Sequence, residues 1–184
     1  MPQIRQADSR EAPSSAEELE HLGEDLGAVS TRWSPRAREL RGFFERWESA
    51  WGTYDLDALE QLVTQDITWD DPAMHGQTVH GRAQFRAFTE TFFGAFPDVA
   101  FESLGTPFVD LGGAWLGIRW RMSGSFTGEL AIWGADPGAA TLPPTGNTFE
   151  LEGVDLYDLH DGQVRNYSIV YDLLEFSQQL GLSS

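Results

Sequence analysis

The hydrophobic pattern of this chain changes from helical spacing in the first half to strand-like spacing in the second. Apolar residues recur every three or four positions up to residue 96, and then in short alternating runs. The first half is predicted to form, in order, a helix over 35–51, a short helix from Asp55 to Val63, a strand over 67–70 and a Phe-rich helix from Gly81 to Phe96. The strand should stop at Asp71-Pro72, because proline cannot continue a strand ladder.

The second half of the chain is predicted to be a series of antiparallel strands followed by one helix. The predicted strands are 99–104, 107–110, 114–123, 125–133, 148–158 and 163–171, before a helix from Leu173 to Leu180. Asp161-Gly162 predicts a tight hairpin turn, and Asp172 a cap for the last helix. Helices followed by strands indicate an α+β domain whose helices cover one face of a curved sheet. The Gly- and Pro-rich residues 134–147 are predicted to form a lid or a dimer contact.

The N-terminal residues differ in composition from the rest of the chain. Residues 1–33 are polar and acidic, and the leucines at positions 19, 22 and 26 bury too little surface to order the segment. We therefore predict a flexible extension over residues 1–33 and one folded domain over residues 34–184, a size that supports a single core.

Charge narrows the range of partners. The chain has 12 basic and 29 acidic residues and a net charge of −17, with an isoelectric point of about 4.4. Such a surface repels nucleic acid, anionic membranes and highly charged anionic ligands, whereas it does not repel a neutral or cationic ligand. The sequence has no cysteine, no membrane-length apolar run and no N-terminal signal, so we expect a cytoplasmic protein with no membrane or nucleic-acid partner.

A series of short motifs follows a fixed order along the chain. The motifs are Tyr54-Asp55-Leu56-Asp57, Trp69-Asp70-Asp71-Pro72-Ala73, Gly81-Arg82, Phe96-Pro97-Asp98, Gly124-Ser125-Phe126-Thr127-Gly128, Pro144-Thr145-Gly146, Gly153-Val154-Asp155-Leu156-Tyr157 and Tyr171-Asp172-Leu173-Leu174. Their order and spacing resemble the SnoaL-like polyketide cyclases of the NTF2-like, or ketosteroid-isomerase-like, superfamily. The resemblance covers residues 36–182.

This resemblance implies an NTF2-like conical barrel, in which helices pack on a strongly curved and mainly antiparallel sheet around an apolar pocket. It also implies a homodimer, no cofactor, and a small apolar or polyketide-like ligand. Members of the family include aldol cyclases, pyran-forming cyclases, epoxide hydrolases and binding proteins, so the fold alone does not fix a reaction.

Asp155 and Ile169 are the positions at which this chain departs from the aldol cyclases that it resembles. Those enzymes carry His at the position of Asp155 and a catalytic Asp at the position of Ile169. Epoxide hydrolases of this fold also have an Asp near the second position. Because Ile169 cannot transfer a proton, acid/base chemistry in this chain would have to come from other residues.

Asp155, Asp71 and His75 are the candidate catalytic residues. The resemblance places Asp155 on the pocket side of its strand, where burial would raise its pKa and suit it to proton transfer; the alternative is an Asp that faces solvent or bonds to a turn. Asp71 shares a face with Trp69 and would add a second carboxylate, or else it only forms a turn before Pro72. His75 could share a proton with Asp71 or be an ordinary surface residue.

Six further residues are predicted to line the pocket and to bind the substrate, with core packing as their alternative role. They are Trp69, Trp120, Tyr157, Tyr167, Ile169 and Phe92. If Trp120 and Met122 face inward, strand alternation turns Arg119 and Arg121 to the surface. With the opposite parity, an arginine would lie beside Asp155.

The function hypotheses differ in whether the pocket is catalytic. The first is a cofactor-independent cyclase or isomerase of a polyketide-like or related natural-product intermediate, with Asp155 and Asp71 as its acid/base pair. The second is a non-catalytic small-molecule-binding protein, which Ile169 favours, and the third is a relative of the epoxide hydrolases or hydratases. The sequence has no nucleotide, dinucleotide, serine-nucleophile or zinc motif, so we expect no cofactor and no metal.

Overall fold

A computed structural model describes residues 39–110, 115–132 and 141–182. Its helices are α1 over residues 39–52, α2 (Leu56–Gln61), α3 (Gly81–Ala95) and α4 (Leu173–Gln179), with a 3-10 turn at Pro72–Met74. Its strands are β1 (Val63–Asp70), β2 (Thr78–His80), β3 (Ala100–Ser103), β4 (Phe108–Val109), β5 (Trp115–Ser125), β6 (Leu130–Ala131), β7 (Thr141–Leu142), β8 (Thr148–His160) and β9 (Gln163–Tyr171). The predicted extension over residues 1–33 and the first half of the predicted lid over 134–147 lie outside the described residues.

The main sheet has the strand order β2-β1-β9-β8-β5-β3, and β4 also pairs with β5. All of these pairs are antiparallel except β1 with β9, which is parallel. The predicted α+β fold with a curved, mainly antiparallel sheet is therefore confirmed. The predicted barrel is not closed, because the short strands β2 and β3 stand at opposite ends of the strand order and do not pair with each other.

Strand alternation sorts the side chains of β5 and β8 between the core and the surface. Trp120 and Met122 are buried, whereas the exposed Arg119 and the half-buried Arg121 pair with Glu152 on β8. The first of the two predicted parities is therefore correct. As a result, the inward-facing residues of the sheet meet the helices as one continuous apolar surface.

Aromatic contacts hold α1 against the middle of the sheet. The ring of Trp47 lies 5.3 Å from that of Tyr157 and 5.5 Å from that of Tyr167, both edge to face. Trp69 of β1 stacks on Tyr167, with their ring centroids 5.0 Å apart. Because such pairs have preferred geometries, they fix how the helix lies across β8 and β9.

The ends of several elements follow the local signals in the sequence. Asp55 caps α2 and Asp172 caps α4, each through a backbone amide three residues further on. Asp161 and Gly162 both have positive φ angles, as the predicted tight hairpin requires.

Other element boundaries differ from the prediction. Val63, which was expected to end α2, begins β1 because it pairs with Val164 in the parallel ladder. The strand predicted over 125–133 is reduced to β6, which pairs with the unpredicted β7. No helix in the described part of the chain is both long enough and apolar enough to cross a bilayer.

Gly128 provides a test of how tightly the segment before β6 packs on the end of α3. A Cβ atom at Gly128 would stand 1.9 Å from the carbonyl oxygen of Gly94, whereas a Cβ at Gly94 would meet nothing within 4 Å. We expect Gly128→Ala to destabilise the protein by about 2 kcal/mol or more. Gly94→Ala, inside a helix, should be neutral or stabilising by up to about 1 kcal/mol. Urea unfolding measures both, and equal effects of the two substitutions would contradict this packing.

Candidate active site

A cavity of about 430 Å³ lies between the helices and the sheet, a volume suited to a small organic molecule. Its walls come from α1, α3, β1, β5, β8 and β9, and Leu130, Ala131 and Leu142 of the β6–β7 pair also contribute. All nine residues predicted for the site line it: Asp155, Asp71, His75, Trp69, Trp120, Tyr157, Tyr167, Ile169 and Phe92. Their roles in function stay predictions.

Asp155 is the most enclosed carboxylate of the cavity wall. It lies on β8 and is 8% exposed, although it is an ionisable residue. Three neutral donors reach it: Trp120 Nε1 at 2.7 Å from Oδ1, and the hydroxyls of Tyr157 and Tyr167 at 2.5 Å and 3.0 Å from Oδ2. Asp155 therefore faces the cavity together with its donors, and the alternative that it faces solvent or bonds to a turn does not hold.

Strand register explains how these donors converge. Tyr157 is two residues after Asp155 on the same face of β8, and Tyr167 of β9 stands directly opposite Tyr157 in the ladder. The two tyrosine rings stack with their centroids 5.0 Å apart, so their hydroxyls point to the same carboxylate oxygen.

Burial and hydrogen bonding act in opposite directions on the acidity of Asp155. Loss of hydration raises the pKa of Asp155 to about 6, the three hydrogen bonds limit the increase, and the nearby charge of Asp71 adds to it. Burial, followed by the charge of Asp155, raises the pKa of Tyr157 and of Tyr167 well above the usual tyrosine value. The tyrosines therefore remain protonated donors, while Asp155 changes charge near pH 6.

Gly153 makes room for the indole ring of Trp120, one of the three donors to Asp155. It stands opposite Trp120 in the β5–β8 ladder, and a Cβ atom at Gly153 would lie 2.3 Å from the indole ring. The ring of Trp120 lies across the space that a side chain would fill. In this position its Nε1 reaches Asp155, two residues further along β8.

Asp71 is the second carboxylate of the cavity. Its Oδ1 accepts hydrogen bonds from the hydroxyl of Tyr171 at 2.7 Å and from the amide of Ala73 at 2.8 Å. The second bond caps the 3-10 turn, so Asp71 both forms the turn and lines the cavity. The residue as a whole is only half-buried, but its carboxyl group is enclosed, and burial raises its pKa.

His75 lies at the exposed rim of the cavity, on a left-handed backbone turn with φ of 52°. The hydrogen bonds of Asp71 go to Tyr171 and Ala73, so the predicted proton sharing between His75 and Asp71 has no support in this geometry. Among the described residues, no group of three or more His, Asp and Glu side chains could hold a metal ion.

The sequence also matches a known domain family. The profile of the SnoaL-like domain covers residues 43–167, which contain the first strand, the cavity-lining part of β8 and most of the aromatic wall. The chain belongs to the SnoaL-like family. Among curated protein sequences, no match is found.

Solved structures share the fold of this SnoaL-like protein. A candidate SnoaL-like polyketide cyclase from Jannaschia sp. CCS1 has a TM-score of 0.64 and 22% identity, over 80% of this chain and 94% of that one. TsrD from Streptomyces laurentii has a TM-score of 0.62 and 20% identity, over 79% and 96%. A protein with a ketosteroid-isomerase-like fold from Catenulispora acidiphila, in complex with trimethylamine, has a TM-score of 0.57 and 21% identity, over 76% and 92%. At these identities the likeness shows the fold alone.

Residues that were not predicted for the site complete the wall of this SnoaL-like cavity. Tyr171 was missed, although it follows Tyr167 and Ile169 on the same face of β9 and strand alternation could have found it. Trp47 and Trp51 also line the cavity, but their helical spacing indicates only a buried face. Glu48 and Glu102 at the exposed rim gave no signal in the sequence that distinguishes them from other surface acids.

We expect the stability difference between Asp155→Asn and the unchanged protein to depend on pH. The folded protein holds the Asp155 proton more tightly than the unfolded chain, since the pKa rises from 3.8 to about 6. The stabilisation from this proton is complete below pH 3.8 and is lost as the pH rises through 6. Relative to the wild-type protein, Asp155→Asn should therefore gain about 2.5 kcal/mol between pH 4 and pH 7.5. Urea unfolding at both pH values tests this, and a difference that is constant or falls with pH would contradict it.

Gly153→Ala should weaken the hydrogen bond from Trp120 to Asp155. The added methyl group displaces the indole ring, and the lost bond is one that lowers the pKa of Asp155. We expect that pKa to move above 6 in an NMR titration of the Asp carboxyl carbons, together with a change in tryptophan fluorescence. Gly94→Ala adds the same methyl group in open space and is the control. An unchanged Asp155 titration in Gly153→Ala would show that the indole does not depend on this glycine.

Proposed function

We propose that this SnoaL-like protein is a cofactor-independent cyclase or isomerase of a polyketide-like or related natural-product intermediate. The observation that supports this most is Asp155: a buried carboxylate, with its pKa raised to about 6, on an aromatic cavity that also contains Asp71. A general base is most effective when its pKa lies near the working pH. The names of the Jannaschia relative and of others with this fold support the substrate class.

The free lone pairs on the two carboxyl groups suit them to opposite roles. Asp155 Oδ1 accepts only one of the three bonds to that side chain, which leaves it able to take a proton. Both bonds to Asp71 end on Oδ1, so its Oδ2 can carry a proton toward the ligand. Two neighbouring carboxyl groups of like charge favour one ionised and one protonated partner.

The proposed reaction is redox-neutral and is carried by these two groups. Ionised Asp155 removes a proton from a carbon next to a ligand carbonyl, and the electron pair moves to the carbonyl oxygen as an enolate. In a cyclisation, the enolate carbon forms a bond to a second carbonyl carbon of the same molecule, and that oxygen takes the proton of Asp71. Proton exchange with solvent then restores both groups. The aromatic walls hold the chain in the reactive conformation.

A non-catalytic binding protein is the second candidate function. It is favoured by the complete set of neutral donors around Asp155, which would also stabilise a structural carboxylate, and by Ile169 in the last strand. The homodimer and the cytoplasmic location that the resemblance and composition suggest are parts of the proposal in either case.

Deuterium exchange into 2-tetralone, an enolisable ketone of suitable size, tests the proton transfer without knowledge of the natural substrate. The unchanged protein should accelerate exchange next to the carbonyl in D₂O above the buffer rate, as measured by NMR. Asp155→Asn should lose about 100-fold or more of that acceleration, because general base catalysis contributes about 10²–10⁴-fold. Asp71→Asn should also slow exchange.

Glu152→Gln is the matched control, since it removes one carboxylate from β8 on the face that pairs with Arg121. It should exchange at the unchanged rate. Binding of tetralone is followed separately by tryptophan fluorescence. Binding without accelerated exchange in the unchanged protein, or full exchange in folded Asp155→Asn, would reject the acid/base proposal and favour the binding protein.

A further inference from the structure

The charged groups that line the cavity are nearly all acidic. Among the described residues they are Asp71 and Asp155 inside the cavity, and Glu48, Glu102 and His75 at its exposed rim, where Glu102 also pairs with Arg121. The sequence contains no lysine, and no arginine in the described part of the chain lines the cavity. An anionic ligand would therefore meet only like charge and find no counterion in this part of the chain.

The arginines near the site form ion pairs on the outer face of the sheet. Arg119 and Arg121 pair with Glu152 on the outer face of the sheet, and Arg121 also reaches Glu102 at 3.5 Å. Arg165 binds Asp158, again on the outer face, at 2.7 Å. These three arginines thus lie outside the cavity, and within the described part of the chain the hydrogen-bond partners of Asp155 and Asp71 are all neutral.

Buried carboxylates with neutral partners are costly to ionise. Asp155 is surrounded by one indole and two phenol groups, and Asp71 by one phenol and one backbone amide. A buried charge is normally paired with an opposite charge or neutralised. The raised pKa values of both groups agree with a missing counterion. A ligand that brings a positive charge would supply it.

The aromatic walls around these carboxylates also favour a positively charged ligand. Trp47, Trp69 and Trp120 line the cavity with three tyrosines, Tyr157, Tyr167 and Tyr171. The faces of such rings attract cations, and alkylated ammonium groups fit among them because their methyl and methylene groups are also apolar. Aromatic rings combined with carboxylates are a better match for an organic cation than for a neutral hydrocarbon or an anion.

We propose that the ligand of this cavity carries a positively charged alkylammonium group, which binds among the aromatic rings and faces Asp155 and Asp71. This inference rests on the cavity being the ligand site of the proposed function, but it does not depend on proton transfer. It narrows the substrate class from apolar intermediates in general to those that carry a tertiary or quaternary amine.

Three probes of the same shape separate charge from apolar contact. Benzyltrimethylammonium, neopentylbenzene and phenylmethanesulfonate share a benzyl group and a tetrahedral end, and carry charges of +1, 0 and −1. Binding is measured through tryptophan fluorescence at pH 7.5 in 0.5 M NaCl, which screens the acidic surface but not the enclosed site. We expect the cation to bind at least 10-fold more tightly than the neutral probe, and the anion not to bind.

Two variants test whether Asp155 and Asp71 cause the preference for the cation. Asp155→Asn should reduce the ratio of cation to neutral affinity by about 10-fold or more while leaving neutral binding nearly unchanged, and Asp71→Asn should reduce the ratio to a smaller extent. Glu152→Gln removes the same charge from the outer face and should leave the ratio unchanged. If it lowered the ratio as much as Asp155→Asn does, the effect would come from net charge and the proposal would be wrong.

Binding of the three probes to the wild-type protein is by itself enough to overturn the inference. Neopentylbenzene is the more hydrophobic probe, so equal or tighter binding of it would mean that the cavity selects apolar surface and not charge. The result is independent of the exchange experiment. If the protein prefers the cation but does not accelerate tetralone exchange, the proposed ligand class is supported and the acid/base reaction is rejected. If it accelerates exchange but does not prefer the cation, the acid/base reaction is supported and the proposed ligand class is rejected.

Discussion

The carboxylate of Asp155 and its three neutral donors connect the fold of this SnoaL-like protein to its candidate chemistry. The donors come from three adjacent strands: Trp120 from β5, Tyr157 from β8 and Tyr167 from β9. Trp47 of α1 rests on both tyrosine rings, so the same cluster also positions a helix. A shift of one residue in any of these strands would turn its member to the outer face and remove a donor. The strand register, the position of α1 and the pKa of Asp155 therefore depend on one another.

The ionised form of Asp155 has a cost in stability. The donors at Asp155 lower the pKa that burial alone would give, but it remains about 6. At neutral pH the folded protein therefore carries a mostly ionised carboxylate in a place where ionisation is unfavourable. A purely structural core would replace such a group with an apolar side chain. The proposed cationic ligand between Asp155 and Asp71 would offset part of this cost and would thereby link the stability of the site to its ligand.

Local signals in the sequence predicted much of the fold, and alternation predicted which faces of the strands turn inward. The caps at Asp55 and Asp172 and the hairpin at Asp161 depend on neighbouring residues, which is why they could be recognised. Strand β2, the β6–β7 pair and the open edge of the sheet depend on pairings between distant segments, which no local pattern encodes. The parallel pair of β1 and β9 brings Trp69 beside Tyr167 from the opposite end of the domain.

The candidate site was predictable in its residues but not in its internal geometry. Strand parity and the family resemblance pointed to Asp155, and the motif before Pro72 pointed to Asp71. The role of Gly153 could not be predicted, because it depends on a ring from the neighbouring strand that crosses above it. The bond from Tyr171 to Asp71 likewise joins two strands whose register was unknown.

The resemblance implies a carboxylate at residue 169, where this chain has Ile, and the register of the sheet relates that position to Asp155. The two residues stand directly opposite each other in the β8–β9 ladder, so a carboxylate at either position reaches the same part of the cavity wall. The positions differ in their neighbours. Residue 155 lies on β8 between β5 and β9 and can receive donors from both strands, as Trp120 and Tyr167 show. Residue 169 lies on β9 and has β8 and β1 beside it. A move of one strand therefore keeps the carboxylate in the cavity but gives it a different set of donors.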